Sequence, residues 1–295
     1  MARVALIGSN GQLGTDIARL WTSSAIGRRD ELIALTHADV DVVDAAWVRS
    51  VLTGVQPNLV INTSAFHRVD DCETQVREAM RVNAVGVKNV AEVCRDLGAV
   101  MMHFSTDYIF DGEKRSPYTE DDPPSPCSAY AISKLAGEHF LRYILPRDHI
   151  LVRSSGLYGV AGASGKGGNF VETMLRFHRE GAPIRVVSDQ IQAPTYTLDL
   201  AAALLELANK GGRGAFHISN AGQCSWYDFA TELFAMLGLR PDLTPVTSAE
   251  FGSPAQRPLY SVLDNGRLQE LGIAQPRPWR EALADYLRLS GQLAA

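Results

Sequence analysis

Short apolar runs alternate along the first half of the chain with longer stretches in which apolar residues recur every three or four positions. That is the pattern of strands feeding helices. The runs Val4 to Ile7, Leu32 to Leu35, Leu59 to Ile61, Val100 to Phe104 and Ile150 to Val152 predict strands, and segments 12–21, 45–53, 75–97 and 129–144 predict helices between them. Such alternation builds a parallel sheet with helices on both faces. Right-handed crossovers then bring the C-terminal ends of all the strands to one edge, where ligands bind. The expected fold is α/β, a doubly wound parallel sheet.

After about residue 155 the pattern changes. Loops rich in glycine and proline, Gly159 to Gly168, Gly211 to Gly214 and Ser253 to Pro258, interrupt shorter elements, as in a substrate-binding lobe made partly of insertions. The expected division is 1–155 for the main domain and 156–295 mainly for a smaller C-terminal α/β lobe. Segments near 184–200 and 215–218 are candidates to return to the main sheet. No internal repeat or low-complexity tract is present.

Composition narrows the classes of function. A chain of 295 residues, 46% apolar and 21% charged, has room for a large domain with a smaller one packed on it. A net charge of -5, with Arg28-Arg29 the one basic doublet before position 100, gives no basic stripe and argues against a nucleic-acid partner. The four cysteines, Cys72, Cys94, Cys127 and Cys224, are scattered without a C-x-x-C pair, so no zinc site or disulfide framework is expected and a reducing cytoplasm is the natural setting. The opening apolar run is too short for a signal-peptide core, and nothing later approaches the ~18 residues of a membrane span. No membrane partner is expected. Asn62-Thr63-Ser64 matches a glycosylation acceptor but ends an apolar run and carries no weight.

The first strand leads directly into Gly8-Ser9-Asn10-Gly11-Gln12-Leu13-Gly14, and a helix follows. Glycines here permit the tight turn, let backbone approach a pyrophosphate and bring helix close to strand, while the helix N-terminus attracts the phosphate charge. The placement predicts a dinucleotide-binding, Rossmann-like domain with Gly8, Asn10, Gly11, Gln12, Leu13 and Gly14 at the cofactor. Leu35-Thr36-His37-Ala38-Asp39 puts no acid directly at the end of the second strand, so exclusive NAD use is not supported. NADPH is slightly favoured over NADH, with dual use open. Thr36, Asp41 and Val42 are expected beside the adenosine, although Asp41 serves equally well as a loop or helix cap.

Tyr130 and Lys134 lie four apart in a predicted helix and so share one face. A phenol titrates near 10 and is a poor proton shuttle at neutral pH; a neighbouring ammonium favours phenolate and is expected to lower it. The fourth strand ends in Ser105-Thr106-Asp107-Tyr108, which places a hydroxyl at the ligand edge able to donate to a developing oxyanion. Thr106, Tyr130 and Lys134 are the candidate catalytic residues.

Taken together, Gly8 to Gly14, Ser105 to Gly112 and Tyr130-x-x-x-Lys134-x-x-Gly137-Glu138 resemble the dTDP-4-dehydrorhamnose reductase family, in the sugar-nucleotide branch of the extended short-chain dehydrogenases/reductases. The resemblance continues through Asn62 to Asp70, Asn83, Gly168-Asn169-Phe170, Asp189-Gln190, Ala193-Pro194-Thr195, Arg257-Pro258 and Ser261. It implies reduction of a nucleotide-linked 4-keto-6-deoxyhexose by NADPH or NADH, most directly dTDP-4-dehydro-L-rhamnose to dTDP-L-rhamnose. In that reaction hydride passes to the keto carbon, Tyr130 gives a proton to its oxygen, Thr106 hydrogen-bonds that oxygen and Lys134 orients the ribose. By the same resemblance Thr63, Ser64 and Ala65 lie near the nicotinamide. His67, Asp107, Tyr108, Asn169 and Gln190 join Thr106 and Tyr130 around the substrate, and Arg257 is the candidate for its diphosphate. A homodimer is possible in this family; Asp16 is at best a shortened match to the acidic set through which some relatives share a metal, and none is expected here.

Three departures bear on the substrate. Gly156 stands where the family usually has a tryptophan, Gln192 replaces a common glycine, and His67-Arg68 is unusual beside the expected sugar. Rival readings are another 4-keto sugar nucleotide, a sugar-nucleotide epimerase, or a noncatalytic cofactor-binding regulatory subunit. A 4,6-dehydratase is disfavoured because Tyr108 follows Thr106-Asp107 where such enzymes carry glutamate.

Overall fold

In the computed structural model, which describes residues 1–161 and 168–293, the first half of the chain is the expected alternation. It runs β1 (Arg3–Ile7), α1 (Gln12–Trp21), β2 (Glu31–Leu35), α2 (Ala45–Val55), β3 (Leu59–Asn62), α3 (Val69–Thr74), α4 (Val76–Met80), a π-helical turn (Arg81–Gly86), α5 (Val87–Leu97), β4 (Val100–Thr106), α6 (Ala129–Ile144) and β5 (His149–Ser154). The second half follows with β6 (Leu157–Tyr158), α7 (Phe170–Arg179), β7 (Ile184–Val187), β8 (Ile191–Gln192), β9 (Thr195–Tyr196), α8 (Thr197–Asn209) and β10 (Gly214–His217). The remaining elements are β11 (Cys224–Ser225), α9 (Trp226–Met236), β12 (Leu243–Val246), α10 (Ser248–Phe251), α11 (Gly266–Glu270) and α12 (Trp279–Leu289). Of the loop expected from Gly159 to Gly168, residues 162–167 lie outside the described part.

Six parallel strands form the main sheet in the order β10-β5-β4-β3-β1-β2, a Rossmann-like arrangement. All residues of β3 and β5 are buried, as strands covered on both faces must be. On one face Leu6, Phe104 and Val152 pack with Ile17 and Trp21 of α1 and Leu200, Leu204 and Leu207 of α8. On the other, Ala5, Val60 and Leu151 pack with Leu52 of α2, Val90 and Cys94 of α5 and Leu141 of α6. α8 thus covers the main sheet although it comes late in the chain. Segment 184–200 contributes that helix's start, whereas β7 pairs with β12 in a separate small sheet. A third core, with Tyr158, Tyr196, Phe229, Trp279 and Tyr286, joins α7, α9 and α12 to the short strands β6, β7, β9 and β11.

The helix expected over 75–97 is broken by the π-helical turn. Gly137 of α6 packs so closely there that a Cβ would lie 2.2 Å from the Asn83 carbonyl oxygen. Such turns cluster at functional sites because they re-aim a side chain. Here the side chain is Asn83, which accepts from Phe66 N at 2.8 Å and donates to the Phe66 carbonyl at 3.0 Å and to Ser133 Oγ at 2.9 Å. The loop after β3 is thereby tied to α6.

Candidate functional site

The C-terminal strand ends gather one cleft edge, and its glycine loop is shaped by contact. Gly8 has φ +80°, and a Cβ on it would meet Thr63 Oγ1 at 2.5 Å; one on Gly14 would lie 2.2 Å from the Gly8 carbonyl oxygen. Gly8 N donates to Leu35 O at 2.9 Å, closing the turn against β2. Among the described residues no side chain caps α1 at Gly11, and the buried Gln12 Oε1 has no hydrogen-bond partner. An uncapped ten-residue helix behind a turn with no room for a Cβ at Gly8 or Gly14 fits a pyrophosphate. Asn10 is exposed at the turn, while the Leu13 side chain belongs to the core, leaving its backbone for a ligand.

At the adenosine end, Thr36 donates through both N and Oγ1 to Asp39 Oδ2 at 2.7 Å. Asp39 lies four residues beyond β2 in sequence, and the turn brings its carboxylate back to the strand's end. From Asp30 to Val48 the chain has no lysine or arginine, only carboxylates and His37. Asp41 Oδ1 accepts from Val43 N at 3.0 Å, and Val42 is buried against Gly86. Thr63 Oγ1 donates to the carbonyls of Ile7 and Gly8, and Ser64 Oγ to Asn62 Oδ1 at 2.6 Å, so both hydroxyls brace the loop. Ala65 O lies 3.4 Å from His67 Nδ1.

α6 starts where Ser128 Oγ accepts from Ala131 N at 3.3 Å and Glu73 accepts from Ala129 N at 2.8 Å. It carries Tyr130 and Lys134 towards the end of β4. The Tyr130 ring stands edge-on to Tyr108, centroids 6.3 Å apart. Burial, reinforced by the Asp107 charge, pushes the Tyr130 phenol above its ordinary value, and a hydrogen bond with Thr106 pulls it partly back. This reverses the sequence expectation of a phenol lowered by Lys134. The lysine instead donates to the Phe104 carbonyl at 2.5 Å, and burial takes its ammonium down to about 8 against the opposing charge of Glu138.

Asp107 is 2% exposed. Its Oδ1 accepts from Thr106 Oγ1 at 3.1 Å, and its Oδ2 from Ser155 Oγ at 2.8 Å and Ser261 Oγ at 2.6 Å. Three segments far apart in sequence therefore meet on one carboxylate. Arg257 donates to Asp70 Oδ2 at 2.9 Å and also bonds the Tyr108 hydroxyl, whose pKa burial pushes up to about 12. Gln190 donates to Ser248 Oγ at 2.9 Å. Asn169 caps α7 and donates to Gly159 O and Tyr286 Oη, so its polar atoms are committed to the fold. Asp16 is buried between α1 and α8, accepting from Thr197 Oγ1 at 2.6 Å.

The two departures Gly156 and Gln192 turn out to be neighbours. Gly156 has φ +53°, and a Cβ there would lie 2.5 Å from Gln192 Oε1. Ser155 Oγ is 3.2 Å from the same oxygen, and Gln192 Nε2 is buried without a partner among the described residues. Sequence reasoning missed Ser155 as a site residue, and also the buried pair Glu138–Arg153 behind α6, whose members lie 15 apart with no shared period.

Comparison with known proteins agrees with this geometry. The family described as RmlD substrate binding domain matches residues 2–291. The spore coat polysaccharide biosynthesis protein SpsK of Bacillus subtilis is 41% identical, covering 98% of each chain. A crystal structure of a dTDP-4-dehydrorhamnose reductase from Clostridium acetobutylicum superposes with TM-score 0.91 at 39% identity, over 97% of this chain and 99% of that one. That of the Bacillus anthracis enzyme, in complex with NADP, does so with TM-score 0.90 at 34% identity, over 97% and 98%. Fold, glycine loop and full-length similarity together show that this chain belongs to the dTDP-4-dehydrorhamnose reductase family, the NAD(P)-dependent reductases of dTDP-4-keto sugars.

Proposed function

We propose that the protein reduces dTDP-4-dehydro-L-rhamnose to dTDP-L-rhamnose, accepting NADPH or NADH. The observation that carries this reading is the Tyr130 phenol hydrogen-bonded to Thr106 at the end of β4, with Lys134 one helical turn on. Gly8 to Gly14 and the α1 N-terminus would hold the dinucleotide, which when bound would supply a hydride. Tyr130 hands its proton to the keto oxygen as charge develops there. A phenol held above its ordinary pKa starts each cycle protonated, as an acid must. Thr106, whose hydroxyl is already engaged by Tyr108 N, Asp107 and Tyr130, directs the phenol instead of bonding the keto oxygen as the resemblance implied, and Lys134, kept below its ordinary pKa, remains a cation below about pH 8, available to a ribose hydroxyl. Arg257, bonded to the Tyr108 hydroxyl, is the candidate for the nucleotide diphosphate, a guanidinium being suited to phosphate.

The test is loss of reduced-nicotinamide absorbance with enzymatically generated dTDP-4-dehydro-L-rhamnose. Wild type turns over, and Tyr130→Phe loses about a hundred- to ten-thousand-fold in kcat. Cofactor binding without turnover on any 4-keto sugar nucleotide would favour a regulatory subunit instead. A second reading, a different dTDP-4-keto sugar, is favoured by the Gly156–Gln192 pair, and a substrate panel ranked by kcat/KM decides between them.

A further inference from the structure

Every reduction of the proposed kind leaves Tyr130 as a phenolate that must recover a proton before the next cycle. We propose that Asp107 is the proton reservoir, resupplying Tyr130 through the hydroxyl of Thr106. The inference rests on the reductase reading above and adds a route for the second proton.

Hydrogen-bond capacity carries the argument. A threonine hydroxyl has one proton to donate and two lone pairs to accept with. At Thr106 one lone pair is taken by Tyr108 N, at 3.2 Å. The two remaining positions, one donor and one acceptor, face Asp107 Oδ1 and the Tyr130 hydroxyl. Thr106 must therefore donate to one of them and accept from the other. With Asp107 ionised the chain runs from Tyr130 to Thr106 to Asp107. With Asp107 neutral and Tyr130 a phenolate, it runs the other way.

The step balances without a change in oxidation state. The Asp107 O–H bond breaks and its proton goes to Thr106 Oγ1; the Thr106 O–H bond breaks and that proton goes to the Tyr130 oxygen. A carboxylic acid and a phenolate become a carboxylate and a phenol. The carboxylate takes its next proton from water while the cleft is open for product exchange.

Asp107 is suited to hold a proton. Tyr130 faces it from α6 and Tyr108 from its own turn, with Arg257 and Asp70 beyond Tyr108; Ser155 and Ser261 close on the far oxygen. Burial raises the carboxyl to about 6, with the hydroxyls of Ser261, Ser155 and Thr106 working against it. Lys134, one turn beyond Tyr130 in α6, is also buried, with its ammonium on the Phe104 carbonyl.

Asp107→Asn keeps the shape and can donate to Thr106, but it has no carboxyl proton to give up and regain. In rapid mixing with reduced dinucleotide and the 4-keto sugar nucleotide, the variant is expected to oxidise one equivalent per site in a burst at least tenfold faster than its own later turnover. Its steady-state rate should then be at least tenfold slower than wild type. Burst and steady state falling together, or neither changing, would overturn the relay. Wild type inactive on every sugar tested would sink the reductase reading itself, and the two failures are distinct. The second measurement uses Ser155→Ala/Ser261→Ala, which removes two donors that favour the carboxylate and so raises its pKa. The relay needs the acid, so the alkaline fall of kcat should move upward, on the order of one pH unit. An unmoved profile would equally overturn the proposal.

Discussion

Glu138→Gln should damage stability and pH dependence in separable ways. Glu138 lies one turn beyond Lys134 in α6 and receives Arg153 Nε at 3.0 Å and its terminal nitrogen at 2.7 Å, with both side chains 2% exposed or less. The guanidinium also stands 5.5 Å from the Phe110 ring and 3.3 Å from His217 Nε2. Burial holds His217 down to about 3, so it is neutral and cannot replace the lost charge. Removing one partner of such a pair costs about 3–5 kcal/mol, because a cation is left buried without its counter-charge. An unfolding entropy of ~2.1 cal/mol/K per residue gives roughly 0.6 kcal/mol/K for a chain of this size, so Tm should fall by about 5–8 °C. The Glu138 charge also raises the Lys134 pKa, so its loss takes the ammonium below about 8 and moves the alkaline fall of activity to lower pH. Thermal scans and a kcat/KM–pH profile read the two effects. Glu138→Gln/Arg153→Met should recover most of the lost stability, since it removes the stranded cation. A fall in Tm below about 2 °C, or a double variant no more stable than the single one, would refute the reasoning.

Two further predictions follow from local geometry. Asp39 at the end of β2, with no lysine or arginine from Asp30 to Val48, should repel a 2′-phosphate; NADH is expected to serve at least as well as NADPH. Asp39→Ala should shift the kcat/KM ratio several-fold towards NADPH, and a wild-type enzyme strongly selective for NADPH would contradict this. Gly156→Ala places a Cβ 2.5 Å from Gln192 Oε1 and must displace that amide, at a cost of about 1–2 kcal/mol for the left-handed backbone as well. KM for the sugar nucleotide should rise, and Gln192→Gly added to the same variant should restore it in part; an unchanged KM would show that the amide lies apart from substrate recognition.

What the sequence determined by itself was whatever has a local period. Strand–helix alternation specified a doubly wound sheet, and four-residue spacing put Tyr130 and Lys134 on one face of α6, because both signals are complete within a few turns of chain. The glycine loop was legible because its glycines answer a steric demand between adjacent elements, as the 2.2 Å approach at Gly14 shows. Tertiary structure alone decided which distant residues meet. Asp107 collects Ser155 and Ser261, Glu138 finds Arg153, Asn83 is turned by a π-helical step towards Ser133, and Gly156 faces Gln192. Sequence spacing encodes none of these pairings. The Tyr130 phenol marks the division: the sequence supplied its lysine neighbour and predicted a lowered pKa, but burial, a property of the assembled core, pushed it up. Desolvation depends on everything packed around a group, so it is fixed only when the whole chain has folded.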